Sequence, residues 1–419
     1  MEVLILAVLL FSVYCSNLQS VEFQPDETFW IASSVRFDKF LMGDFDSPIW
    51  NEPFVNYEVR PIPSYIVAIS QRLGGARTAA LPVYWDWALT KDQNISRGAM
   101  PSNPVIWWSR LPMAIISVFS LLGTIILIAK AHSRLAAYVF TLISFNDYFL
   151  LHLRRAMSEA PLLLFTVLAL YASYKLLMVI QEKSIKKVIL WSMTVGIFCG
   201  LAGQSKLTGL ACMAIPILGA LILIFRSAPT SQIVRFRILL IVAGLVLCTS
   251  LLLFVASYPF FYQNTFYRTL GTFYFRNAVI QGQMKTYASQ VILPPSRLNI
   301  LFQRIFHYPI ALDSNGIASS LFHWINFFIV AFGTAHLIMQ VWKKERGWEK
   351  LVILLLGVLT CAIPMLFVPF DWDRYYLYPI FFSCILFSIG ISQLLFMWVS
   401  HIQKQIGENL RQRMGSEGI

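Results

Sequence analysis

Adjacent carboxylates, Asp26 and Glu27, follow the first apolar run of the chain in Gln24-Pro25-Asp26-Glu27-Thr28-Phe29-Trp30. Next to a low-dielectric surface the protonated form of a carboxylate is favoured, which makes it a better proton acceptor in a water-poor cleft. The same order of Pro, Asp and Glu also starts ordinary helices, because all three suit a first turn. Further on, Tyr57-Glu58-Val59-Arg60-Pro61-Ile62-Pro63 supplies a charged pair and then prolines that forbid one continuous helix. Other charges stand at the ends of apolar runs: Arg154, Arg155 and Glu159, then Lys206, then Asp371, Asp373 and Arg374. Arg and Lys so placed can clamp a phosphate while a carboxylate takes a proton from a hydroxyl. Each of them taken singly also reads as the plain boundary of an apolar segment.

Metal and thiol chemistry find no such pattern. The six cysteines stand singly in apolar runs without C-x-x-C spacing, which suits small core residues better than a disulfide framework or thiolate site. The six histidines form no H-E-x-x-H or related spacing. Lys175 reads as a side chain snorkelling toward the nearer membrane surface. Asp147, after Asn146 inside an apolar run, reads either as a buried hydrogen-bonded group or as part of a cleft. The sequon Asn94-Ile95-Ser96 carries no weight, since such tripeptides are common by chance.

The elements that must position these residues are membrane helices. With 57% hydrophobic and only 13% charged residues, an ordinary water-soluble globular protein is excluded. The excess of 33 Lys and Arg over 21 Asp and Glu then serves topology better than nucleic-acid binding. About ten runs approach the roughly 20 residues that a hydrocarbon core of about 30 Å demands. They cover 3–15, 106–129, 135–151, 161–180, 188–203, 207–225, 238–256, 324–342, 351–368 and 375–399. One alternating set of connections carries Lys130, Arg134, Lys183, Lys186, Lys187, Arg226, Arg235, Arg237, Lys343, Lys344, Arg346 and Lys350. The tail adds Lys404, Arg411 and Arg413, so the set holds 15 of the 33 cations and marks the cytoplasmic side. Both termini are then cytoplasmic. A cleaved signal peptide is the other reading of the first run; Met1 and Glu2, which form no basic n-region, favour its retention.

Two long connections fall on the outer side. Residues 19–105 hold ten acids, seven bases and four tryptophans, and the stretches 28–42 and 63–73 suit helices lying in the membrane interface. Residues 258–323 carry Arg268, Arg276, Lys285, Arg297 and Arg304 against Asp313 alone. These cations read either as snorkelling side chains beside lipid headgroups or as an aromatic-lined groove for an anionic lipid carrier.

The whole pattern resembles the GT-C membrane glycosyltransferases, in particular the phospholipid-carrier branch of protein O-mannosyltransferases and the aminoarabinose transferase of lipid A. Asp26-Glu27 resembles that branch's Asp-Glu motif at the start of its first external loop. Glu58-Val59-Arg60-Pro61-Ile62-Pro63 is similar to its Glu-Lys-Pro-Pro-Leu type segment, with the second proline displaced by one residue. Arg155 to Pro161 resembles its Arg and acidic residue entering the fourth span, with Glu159 where Asp is commoner. Gly200 to Gly209 is similar to its glycine-rich approach to a lysine, here Lys206, and Asp373 to Pro379 resembles its Arg-Tyr-Leu-Leu-Pro-like segment.

The resemblance implies an all-α polytopic enzyme, residues 1–400 with a cytoplasmic tail at 401–419, in the plasma (inner) membrane with its site facing the periplasm or exterior. It would move a sugar from a polyprenyl-phosphate carrier to a hydroxyl of a lipid, glycan or protein, with inversion, no cofactor, no metal and no nucleic acid. Asp26 would be the base and Glu27 its support. Arg60, Arg155, Lys206 and Arg374 would neutralise the phosphate, and Glu58 and Glu159 would orient the acceptor or the cations. The rival readings are a transporter or lipid flippase, and a non-catalytic subunit of a glycan-assembly complex. The first commonly shows internal repeats and midplane charges, and the intact Asp26-Glu27 pair weighs against the second.

Overall fold

The structure, a computed structural model, describes residues 1–76, 80–182, 184–226, 232–310, 317–343 and 347–416. Of the residues read from the sequence, Lys183, Asp313, Lys344 and Arg346 lie outside the described residues, as do the side chains of Arg226, Arg235, Arg411 and Arg413. The chain opens with α1 (Glu2–Tyr14). Its first long connection holds α2 (Glu27–Ala32), α3 (Val35–Leu41), α4 (Pro53–Glu58), α5 (Pro61–Leu73) and α6 (Lys91–Ser96). The bundle continues with α7 (Asn103–Ala131), α8 (Arg134–Ile143), α9 (Asp147–His152), α10 (Glu159–Gln181), α11 (Ile185–Ser205), α12 (Ala214–Arg226) and α13 (Gln232–Ala256). The second connection holds α14 (Thr265–Thr286) and α15 (Pro294–His307), before α16 (Ile317–Trp342), α17 (Trp348–Phe367) and α18 (Leu377–Ser416). An isolated bridge between Val291 and Phe370 joins this connection to the chain between α17 and α18.

Among the described residues eight helices are long and apolar enough to cross a membrane, not ten. The first and third expected spans form the shorter helices α1 and α8. Residues 135–151 do not make one helix because Asn146 breaks the run: its side chain accepts the Phe149 N–H at 2.9 Å and caps a new start. The Tyr14 hydroxyl uses the interruption, donating to the Ser144 carbonyl at 2.6 Å. Asp147 therefore sits exposed in the first turn of α9 and is not a buried group. Helices do form over the expected stretches of the first connection, as α2, α3 and α5. The segment read as a tail from residue 401 continues α18 unbroken to Ser416.

Glycines set close helix contacts. A Cβ at Gly196 or Gly200 of α11 would stand 3.0 Å from the Val246 carbonyl oxygen or 2.7 Å from that of Ser250, so only glycine lets α11 and α13 approach this far. At one end of the bundle the cation-bearing connections meet. Arg134 pairs with Glu2, Lys130 lies over the Tyr171 ring, Lys187 pairs with Glu182, and the His132 and His336 rings are 5.1 Å apart. The charged motif residues gather at the other end. All six cysteines are free, and Cys248, unlike the expectation of a core residue, is exposed.

Candidate active site

Asp26 occupies the N-cap position of α2 but makes no capping hydrogen bond. Its Oδ2 instead pairs with the Arg374 guanidinium, supplied by the short helical turn Asp373–Tyr376 ahead of α18. The carboxylate stays partly open, with 16% of its side chain exposed. Glu27 behaves differently. It is wholly buried, and Arg110 of α7 grips it with Nε to Oε2 at 2.9 Å and Nη2 to Oε1 at 2.7 Å. The Ala156 and Gln24 backbone N–H groups donate to the same carboxylate. The remaining Arg110 nitrogen donates to the Leu18 and Val21 carbonyls, each at 2.8 Å. A buried ion pair this fully hydrogen-bonded fixes the backbone around Asp26 and leaves Glu27 no free lone pair for a substrate.

Lys206 ends α11 in an extended conformation, φ −155° and ψ 136°, and the helical turn after it folds back so tightly that a Cβ on Gly209 would lie 2.3 Å from Ala202. Its ammonium meets Glu159, in the first turn of α10, at 3.1 Å. Glu159 is buried and also accepts from the Ser158 hydroxyl. Tyr375 joins these groups: Lys206 lies 5.5 Å from its ring centre, Arg374 also 5.5 Å, and its phenol faces Arg276 of α14. Arg276 pairs with Glu58 at 2.7 Å. Burial works against the charge of Arg276, but Glu58 and Tyr375 outweigh it and raise its pKa above the ordinary value.

Arg60 is the N-cap of α5, held extended at φ −71° and ψ 144° because a residue before proline avoids the helical region. The break expected around the prolines thus falls at Val59 and Arg60, while Pro61 and Pro63 form the first turn of α5, where a missing N–H costs nothing. Arg60 is buried over the Phe254 ring, and burial pulls its pKa down, with Tyr258 and Glu58 acting the other way. Its Nη2 donates to the Tyr57 carbonyl, while its Nη1 and the Glu58 Oε1 are buried without a hydrogen-bond partner. Such orphaned polar atoms mark a place where a polar ligand group would be welcome. Arg155 stands apart from this cluster. It binds the backbone and carboxylate of Glu22, beside Glu27, and burial lowers its pKa.

The cations of the second connection are mostly engaged by the protein itself. Arg268 donates to the Phe260 carbonyl and Asn51, Arg297 to the carbonyls of Ile292 and Met365, and Arg304 spans both Asp371 and Asp373. With Arg276 on Glu58, four of its five cations hold the protein together, and Lys285 is exposed. The sequon is likewise structural, since Asn94 is fully buried and its side chain bonds to Asp86 at both ends. No group of three or more His, Cys, Asp and Glu side chains among the described residues is arranged to hold a metal. An apolar cleft of about 370 Å³ beside Ile222, Ile338 and Leu351 lies at the opposite end of the bundle from these charges.

Sequence reasoning missed Arg110 and gave Tyr375 no role of its own. Arg110 carried a signal: an arginine two turns inside an apolar helix needs a buried partner, and the carboxylates at 26 and 27 were the available ones. Tyr375 was legible only as part of the Asp373 to Pro379 segment, because an aromatic beside an arginine at a span end is by itself ordinary interface composition.

A family model described as dolichyl-phosphate-mannose-protein mannosyltransferase matches residues 84–267, the part that contains Arg110, Arg155, Glu159 and Lys206. Among solved structures, the archaeal oligosaccharyltransferase AglB from Archaeoglobus fulgidus, in complex with an inhibitory peptide and a dolichol-phosphate, is similar at 13% identity and a TM-score of 0.50. The match covers 97% of this chain and 51% of that one. The apo crystal structure of the oligosaccharyltransferase from the same organism gives 12% identity and a TM-score of 0.52, again over 97% and 51%. The chain thus spans about half the length of these solved proteins, and at such identity the likeness is one of fold. No curated protein matches it by sequence. The helical frame is that of the GT-C membrane glycosyltransferases, and within it residues 84–267 match the protein mannosyltransferase family model.

Proposed function

We propose that the protein is a polyprenyl-phosphate-dependent membrane glycosyltransferase that passes one sugar to an acceptor hydroxyl. The observation that carries this reading is the meeting of Asp26 with Arg374, beside the Tyr375-centred cluster of Lys206, Glu159, Arg276 and Glu58. That arrangement offers a carboxylate for a hydroxyl proton and several cations for a departing phosphate. With Oδ2 committed to Arg374, Oδ1 of Asp26 receives the proton as the acceptor oxygen attacks the anomeric carbon. The carbon–oxygen bond to the phosphate breaks, and the lipid phosphate leaves with the electron pair. A single displacement of this kind inverts the anomeric centre. Arg374, Lys206 and Arg276 neutralise the leaving group, Arg60 and Glu58 turn their unpartnered atoms to the sugar, and Glu159 orients Lys206. Arg155 and Glu27 act on the backbone that carries Asp26.

The family match favours a monosaccharide carried on a polyprenyl phosphate, and a protein among the possible acceptors, which include glycans and lipids. In the membrane, the cation-rich end with both termini faces the cytoplasm of the plasma membrane, and the site opens to the exterior or periplasm. The gathering of motif charges at one end of the helices, not at mid-height, supports surface chemistry over transport. The test is transfer from a panel of synthetic polyprenyl-phosphate sugars by purified protein in detergent, with acceptor peptides and glycolipids. Sugar transfer from at least one, absent in Asp26→Asn, is the expected result. Transfer from nucleotide sugars but from no lipid phosphate would overturn the reading.

A further inference from the structure

Helix α14 is built with two unlike faces. On the inner one, Phe275 stacks on Tyr57 at 4.9 Å, Gly271 lies against the Tyr57 ring, Thr272 is buried, and Arg276 holds Glu58. On the outer one, Phe266, Tyr267, Leu270, Phe273 and Tyr274 fall within one face at helical spacing. They are 69%, 77%, 41%, 48% and 75% exposed. Contiguous large apolar side chains on an exposed helix face mark a contact surface.

The neighbouring chain says what covers it. Helix α13, one of the eight able to cross a membrane, ends at Ala256, and α14 starts at Thr265 after a short turn. The outer side of α13 is itself bare and apolar, with Leu240, Leu247, Leu251 and Leu252 exposed. The aromatic row on α14 therefore continues a lipid-facing surface, and it does so where that surface must leave the hydrocarbon. Its Phe and Tyr composition suits the headgroup region, where a ring can be buried while a hydroxyl stays wet. Beyond Tyr274 the same face turns polar, with Asn277, Gln281 and Lys285 exposed. We infer that α14 rests on the bilayer, with the outer face of its first three turns sunk in the lipid headgroup region and its later turns in water. The bilayer then backs the helix that presents Arg276 to Glu58. This inference needs only that the long helices cross a membrane, and it stands apart from any particular reaction.

Full-length protein in phospholipid nanodiscs tests it. Nitroxides are placed one at a time at Tyr267→Cys, Tyr274→Cys, Gln281→Cys and Lys285→Cys, with the exposed Cys248 replaced by Ser. Collision with oxygen, which concentrates in lipid, is compared with collision with a water-soluble nickel chelate. Labels at 267 and 274 should favour oxygen severalfold, and those at 281 and 285 the chelate. Equal chelate access at 274 and 285 would overturn the inference. So would shielding of 274 from both reagents with dipolar broadening, which would mean a second copy. Lipid-like behaviour that appears only on adding polyprenyl phosphate would overturn it too, assigning the face to the donor's tail.

Discussion

Asp26 and Glu27 are neighbours in the chain with opposite fates. Asp26 is partly open and paired through one oxygen, whereas Glu27 is sealed with Arg110 and saturated with hydrogen bonds. Asp26→Asn keeps size and much of the pairing but removes the proton acceptor. Turnover should fall by about 100- to 10,000-fold while donor binding persists, as kinetics and a parallel lipid-binding assay would report. Retained turnover would remove Asp26 as the base. Glu27→Gln should act on stability, because removing one member of a buried pair typically costs about 3–5 kcal/mol. Thermal unfolding in detergent should show comparable losses for Glu27→Gln and Arg110→Gln, and a double variant little worse than either. Additive losses would mean that the two side chains act separately.

At the scale of elements, the second connection works as a brace. Arg304 of α15 holds Asp371 and Asp373, Arg297 binds the Met365 carbonyl, and the Ile292 N–H bonds to the Pro369 carbonyl at 2.7 Å. In the same stretch the Tyr148 hydroxyl donates to the Asp373 carbonyl. Arg374 follows directly, so the brace sets where its guanidinium meets Asp26. The two carboxylates outweigh the cost of burial and raise the Arg304 pKa above its ordinary value. Arg304→Gln should therefore raise the donor KM severalfold to about tenfold with a smaller change in kcat, the signature of lost binding alignment. Asp371→Asn should reproduce the effect in part. An unchanged KM in both would leave the brace without influence on the site.

For the whole molecule, the gathering of cationic connections at one end sets a clear expectation for topology. Cysteines introduced at the exposed positions Lys186 and Met42 should differ in intact cells: position 42 open to an impermeant thiol reagent, position 186 labelled only after permeabilisation. Labelling of 186 in intact cells would reverse the assignment of sides. The fold leads one end of the bundle to opposite work, since two long connections fold back over it and close around the charged residues.

Span length and hydropathy made the helical membrane architecture legible from the sequence, because a hydrocarbon core accepts little besides long apolar helices. Most of the charges that gather at one end of the helices stood out in the sequence too, since charges at the borders of apolar runs are few. Their division of labour did not. Asp26 meets Arg374 across 348 positions of chain, and which carboxylate is sealed and which is open depends on where Arg110 of α7 arrives. The break at Asn146 was hidden because an apolar run reads as one helix until a side chain is seen to cap it. The partners of the cations in the second connection were hidden for the same physical reason. Net charge counts cations, but only the packed chain decides whether each faces a carboxylate, a carbonyl or an open groove.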